Sequence, residues 1–272
     1  MTNDYAKHLD DHTLCIKVDM ELYYAHKDFF NCILHSFSPY NAADRRDATH
    51  LIYITSNPLQ AFASGYRIFC NPDNPQWKFQ LICELEEVYA TLLNCTVLHG
   101  ACLEYNGKGI LILGSRRSGK TTLVYNLIRY YNAKYLDDDC VYCINGKYYG
   151  FLHPVSLRYE PDSHENRTLE IQDSDNCSRW LVSTENRLDI LSQIDVVLFP
   201  QYGVHLQKQM RLIGGSELFE RVINNTRHSK DMISLFRDVC SVIQNAKSYI
   251  MEYASSYEAL ELVNQACDFH LG

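Results

Sequence analysis

Four aliphatic residues, Ile110-Leu111-Ile112-Leu113, run without interruption into Gly114, and a helical pattern starts a few positions later. An unbroken apolar strand of this kind is covered on both faces, which requires a sheet layered with helices. Between strand and helix lies Gly114-Ser115-Arg116-Arg117-Ser118-Gly119-Lys120-Thr121, which satisfies G-x-x-x-x-G-K-[ST] at every fixed position. The glycines let the backbone turn so that successive N–H groups face a polyphosphate. Lys120 supplies a point charge for the β- and γ-phosphates, the Thr121 hydroxyl can ligate Mg²⁺, and Thr122 follows in the same first turn. The positive end of the helix adds to the attraction for an anion. A chance match in a loop would lack the entering strand and the leaving helix. Arg116 and Arg117 are bulky for a loop interior and reach either phosphate or solvent.

The rest of the chain divides by texture, with no repeat, low-complexity tract or linker. Residues 1–95 read as mixed α/β. Strands are expected at Thr13–Val18, Leu51–Thr55 and Tyr66–Cys70, and helices at Ala25–Phe37 and Trp77–Asn94. From Thr96 a strand is expected over Val97–Tyr105, returning through the Asn106-Gly107 turn into Gly109–Leu113. A helix follows over Thr121–Tyr131, then a strand at Lys134–Leu136 that runs into Asp137-Asp138-Asp139. Beyond a short hairpin at Asn145-Gly146, a strand is expected at Ile194–Phe199, with helices at Ser216–Asn224, Met232–Ala246 and Ser256–Ala266. Residues 96–272 are thus expected to form one region.

An acidic triplet at a strand end, after a phosphate loop, lies where carboxylates can work on a phosphate. One can hold Mg²⁺ directly or through water, and another can orient or deprotonate an attacking hydroxyl. Alternation puts Asp137 and Asp139 on one face and Asp138 on the other, unless the strand has already ended. His99 precedes a glycine that permits close backbone approach. A strand histidine is more often a hydrogen-bonded core residue than a catalyst, so His99 is a candidate.

Charge limits the partners. With 25 basic and 33 acidic side chains the net charge is −8, which argues against a general grip on nucleic acid. A nucleotide would need a local positive site inside an acidic envelope. No apolar stretch is long enough to span a bilayer. The eleven cysteines lack the spacing of a disulfide framework, and Met1–Tyr5 has neither the basic start nor the apolar core of a signal peptide. A reducing, cytoplasmic location is expected, with no membrane partner. Cys140-Val141-Tyr142-Cys143 has no second pair and reads as packed cysteines.

These pieces, in this order, resemble the C-terminal catalytic domain of the HPr kinase/phosphorylase family. The likeness runs through Leu98-His99-Gly100, the turn Asn106 to Gly109, the strand Ile110 to Leu113, the phosphate loop and Asp138-Asp139-Cys140-Val141. It continues more loosely through His153 to Arg158 and Val196 to Pro200, where it is similar to the HPr-kinase-related kinases of peptide-modification gene clusters. The resemblance implies an α/β fold: a P-loop kinase core of the HPr kinase and phosphoenolpyruvate carboxykinase type, with a smaller N-terminal α/β region. It implies ATP and Mg²⁺, Asp139 as base toward a serine hydroxyl, Asp138 and His99 in support, and Thr121 with Asp138 on the metal. Taking Asp137 and Asp138 as the pair instead shifts the register by one residue. The family's glycine-rich stretch after the aspartates, with its metal-binding glutamate, has no counterpart here. The implied activity is therefore kinase rather than phosphorylase, and no second metal ligand follows.

The expected function is transfer of the γ-phosphoryl group of ATP to a serine of a peptide or protein, such as a ribosomally made precursor peptide. Two other classes are a small-molecule kinase and an ATP-dependent switch that transfers nothing. The apolar stripes of the last helices serve core packing or a homo-oligomer.

Overall fold

The computed structural model describes residues 2–9, 12–34, 37–39, 50–57, 65–151, 154–161, 168–175, 177–182, 184–229 and 231–268. The fold is mixed α/β, with several sheets and seven helices among those residues. It divides into two compact units, Met1–Leu93 with Arg158–Ser183, and Asn94–Leu157 with Thr184–Gly272.

In the first unit, the antiparallel hairpin Thr2–Leu9 and His12–Asp19 extends through parallel strands His50–Thr55 and Tyr66–Phe69. Leu14, Ile16, Val18, Ile52, Ile54 and Ile68 are buried in it. The single helix expected over Ala25–Phe37 is instead two short ones, Met20–Ala25 and Lys27–Ile33. The side chain of Asp19 accepts the Glu21 and Leu22 N–H groups and starts the first helix early. The helix Trp77–Leu93 forms as expected after the Asn71–Pro75 turn.

That helix packs on the strand Thr168–Gln172, which pairs with Ser178–Val182. Asp173 braces the turn between them by accepting from the N–H groups of Asp175 and Cys177 and from Arg179. Residues 158–183 therefore cluster with the first unit, whereas the sequence division left them in 96–272. Neither end of the segment carries a linker signal, so only its contacts reveal where it belongs.

In the second unit, a six-stranded sheet runs in the order Gln209–Ile213, Lys247–Tyr253, Val196–Tyr202, Lys108–Leu113, Gly100–Tyr105, Lys134–Asp138. The second, third and fourth of these strands are parallel, and antiparallel strands flank them. Cys102, Leu111, Leu113, Val197, Phe199 and Ile250 form a core with Leu98, Val141, Cys143 and Tyr148 of a second sheet and with Leu218, Val222, Val239 and Val242. Those last four lie on the helices Gly215–Asn224 and Met232–Asn245. Helices Lys120–Tyr131 and Ser256–Ala266 contact each other and cover the six-stranded sheet. Ile110 and Ile112, alternating with Leu111 and Leu113, are equally buried, so the strand is enclosed on both sides.

The strand expected over Val97–Tyr105 is broken. Thr96–Leu98 belongs to the second sheet and Gly100–Tyr105 to the first. His99 thus sits in the crossover between two sheets, not within a strand. Gly100 permits the switch, because a Cβ there would lie 2.5 Å from the Ile112 carbonyl oxygen. All eleven cysteines are unbridged. Among the described residues, no helix is long and apolar enough to cross a membrane.

Candidate active site

The apolar strand delivers Gly114 to the edge of the sheet, and the chain turns through Ser115–Ser118 before the helix begins at Lys120. The Ser118 N–H closes this turn on the Ser115 carbonyl at 3.2 Å. Gly119 caps the helix at φ +98°, a conformation that suits glycine, and a Cβ there would lie 2.5 Å from the Tyr253 hydroxyl. Lys120 is buried, and its Nζ donates to the carbonyls of Gly114 at 2.7 Å and Ser115 at 3.1 Å. The amine is thereby held at the mouth of the loop, while Ser115, Arg116 and Arg117 are exposed. Ser118 Oγ is buried without a hydrogen-bond partner. An unsatisfied hydroxyl, an ammonium group and the open N–H groups of a first helical turn are a donor set that suits a polyphosphate. Thr121 and Thr122 are half-buried on that turn.

Asn225, just past the end of the helix Gly215–Asn224, ties this loop to the histidine. Its Oδ1 accepts the Gly114 N–H at 3.1 Å, and its backbone carbonyl accepts the His99 N–H at 2.6 Å. Its Nδ2 donates to the Arg221 carbonyl at 2.8 Å. A cleft of about 420 Å³ opens over Gly114–Ser118, and Arg116, Arg117 and Arg221 line it. Arg221 is ion-paired with Glu217, so Arg116 and Arg117 on the loop itself carry the positive character of this cleft.

The aspartates approach from two strands away. Asp138 pairs with Ala101, which in turn pairs with Ile112, so the acidic strand end is level with the end of the loop strand. Two inter-strand steps separate them, about 10 Å. A bulge between Cys102 and Leu103 turns the last residues of the acidic strand. Asp137 is buried and its Oδ2 accepts the Phe151 N–H at 2.7 Å, a structural duty. Asp138 is buried as well. The strand ends at Asp138, so the simple alternation of the triplet stops there.

Asp139 leaves the strand at φ +96°, with its N–H on the Gly100 carbonyl at 2.9 Å and its side chain half-exposed. A non-glycine residue held in such a conformation costs on the order of 1–3 kcal/mol. His99 Nδ1 lies 3.2 Å from the Asp139 carbonyl oxygen and 3.5 Å from its Oδ1. A carbonyl can only accept, so Nδ1 carries the proton and Nε2 is the basic nitrogen. Arg227 reaches Asp139 Oδ1 at 3.9 Å and donates to Cys140 Sγ at 3.1 Å. Burial holds the His99 pKa below its ordinary value, Arg227 and Lys120 push the same way, and Asp139 opposes them. The imidazole is therefore neutral at pH 7.

The fold thus gathers His99 and Asp139 at one end of the sheet, level with Asp138 and the loop Gly114–Thr122. Asp137 is committed elsewhere. Cys140 and Cys143 are buried, and no cluster of three or more metal-ligating side chains occurs among the described residues. His153 lies outside the described residues, and Arg158 is an exposed residue of the first unit. Asn225, Arg221, Arg227, Tyr202 and Tyr253 were not legible as site residues. They arrive from strands and a helix end far along the chain, and no local motif marks them.

No family model matches the chain, and no curated protein matches it. A solved structure of the HPr(Ser) kinase/phosphatase from Coxiella burnetii aligns at 11% identity over 63% of this chain and 93% of that one, with a TM-score of 0.29. This is a weak fold-level resemblance, too loose to carry an argument about activity.

Proposed function

We propose that the protein is an ATP-dependent phosphotransferase with a P-loop kinase core, acting on a serine hydroxyl of a peptide or protein. The observation that carries this reading is the meeting of the loop around Lys120 with the Asp139–His99 pair, linked by Asn225. ATP with Mg²⁺ supplies the phosphoryl group and neutralises part of its charge when bound. Lys120 is already positioned and exchanges its carbonyl partners for phosphate oxygens. Thr121 and Asp138 are the residues for Mg²⁺, which needs few protein ligands because it keeps water and phosphate oxygens. Asp139, half-exposed, accepts the proton of the incoming hydroxyl as the oxygen attacks phosphorus. His99, neutral, orients that carboxylate, and Arg227 offsets its charge. This is positioning and electrostatics rather than covalent chemistry. A cytoplasmic setting, with neither nucleic acid nor membrane as partner, fits the same reading.

The test is intact-mass analysis of short peptides encoded beside this gene, incubated with the protein, ATP and Mg²⁺. A gain of one phosphoryl group, lost in Lys120→Ala and in Asp139→Asn, is expected, with ATP binding largely kept in Asp139→Asn. Normal turnover in Asp139→Asn overturns the base assignment in favour of Asp138. ATP bound without transfer to a peptide refutes peptide kinase activity in favour of a small-molecule kinase or a nucleotide switch.

A further inference from the structure

Beyond the phosphate loop, a second pocket follows the helix Lys120–Tyr131 along one stripe: Gly119, Thr122, Leu123 and Asn126. This is the i, i+3, i+4, i+7 spacing of a single helix face. The opposite wall is the segment Tyr253–Ser256 with Ala259, and Tyr202 closes the end nearest the phosphate cleft, which it also lines. The Tyr202 and Tyr253 rings lie 6.0 Å apart and tilted by 48°. The volume is about 160 Å³. That falls below the roughly 300–1,000 Å³ of sites for drug-sized ligands, so it suits one flat ring system rather than a whole nucleotide.

The side chain of Asn126 distinguishes this pocket from a packing defect. It is only 7% exposed, lines the pocket and makes no hydrogen bond to the described residues. Its amide atoms are not among the sealed, unpaired ones, so they open into the pocket, where water or a ligand can pair them. It also presents a donor and an acceptor side by side, the complement of the amino group and ring nitrogen of adenine. The Ser255 hydroxyl is already used, accepting the Glu258 N–H to cap the helix Ser256–Ala266.

We infer that this pocket seats the adenine base of the nucleotide, with the Asn126 carboxamide reading the base edge and the phosphates lying in the cleft beyond Tyr202. This rests on the nucleotide reading proposed above and adds the base-recognising residue. Lys120 and the loop hold charge, whereas Asn126 decides which base is attached to it.

The test measures displacement of a fluorescent ATP analogue from the full chain by ATP, GTP and inorganic tripolyphosphate. The wild type is expected to bind ATP more tightly than either competitor. Asn126→Leu removes the hydrogen bonds, and Asn126→Asp keeps the shape while replacing the donor with an anion. Each is expected to weaken ATP about tenfold, the loss of one or two hydrogen bonds, and to leave tripolyphosphate unchanged. Unchanged ATP affinity in both variants overturns the inference. So does equal binding of ATP and tripolyphosphate to the wild type, while Lys120-dependent binding would still support a phosphate site. Tighter binding of GTP than ATP overturns the adenine assignment. No binding of any of the three refutes the nucleotide reading as well.

Discussion

Replacing Gly119 by alanine separates two physical reasons for a glycine at the helix start. The backbone there has φ +98°, and an alanine forced to adopt a left-handed conformation costs about 1–2 kcal/mol. The added Cβ would also lie 2.5 Å from the Tyr253 hydroxyl and 3.2 Å from Tyr202 Cβ. Tyr253 is only 3% exposed, so its ring cannot swing away into water. Overpacking of this kind costs about 1–3 kcal/mol, and the two effects together give on the order of 2–5 kcal/mol. Tyr253→Phe removes the oxygen, and the next ring atom, Cζ, is at 3.5 Å, an ordinary contact. In that background, Gly119→Ala should therefore cost the backbone part and the smaller strain of the 3.2 Å contact with Tyr202 Cβ, without the clash against the hydroxyl. Amide hydrogen exchange along Lys120–Tyr131 reads the local opening free energy of the helix in all four proteins of the cycle. A coupling below about 0.5 kcal/mol refutes the argument that the hydroxyl excludes a Cβ.

Three further outcomes are expected. Asn225→Ala leaves the Gly114 N–H without its acceptor and should destabilise the loop by about 1–3 kcal/mol, read as faster exchange of that amide. Gly100→Ala sets a Cβ against backbone, the Ile112 carbonyl oxygen, so it should lower the melting temperature even though the residue adds only one carbon. For His99, the fold holds the pKa below its ordinary value of about 6.5. The unfolded chain then takes the proton first as pH falls, and stability is lost from about pH 6.5 downward to the folded pKa. The fall in melting temperature between about pH 7 and 5 should therefore be smaller in His99→Gln than in the wild type, and an identical fall refutes the assignment.

Local chemistry explains what could be read from the sequence. The loop Gly114–Thr121 was legible because each of its steps is a short-range necessity: an apolar strand, glycines where the chain must turn, then a helix. The helix Trp77–Leu93 and the Asn106-Gly107 hairpin were legible for the same reason, one by its apolar spacing and the other by its turn residues. The early helix start at Met20 was missed because Asp19 acts as a cap, and several polar residues in that stretch could equally have done so. The strand Lys247–Tyr253 was missed although it is a parallel neighbour of Val196–Tyr202.

By itself, then, the sequence determined an α/β chain with a glycine-bounded loop between an apolar strand and a helix, a lysine and threonine at its end, and an acidic triplet at the end of the next strand. Tertiary structure decided how the aspartates are placed. Asp137 is taken by the Phe151 N–H, while Asp139 is turned out beside His99 by a strand that ends one residue earlier. Tertiary structure also brought in Asn225 and Arg227, since their contacts depend on partners supplied by other elements. Capping, turning and burial are written in neighbouring residues, but which donor meets which acceptor across a hundred residues is set by sheet order and register.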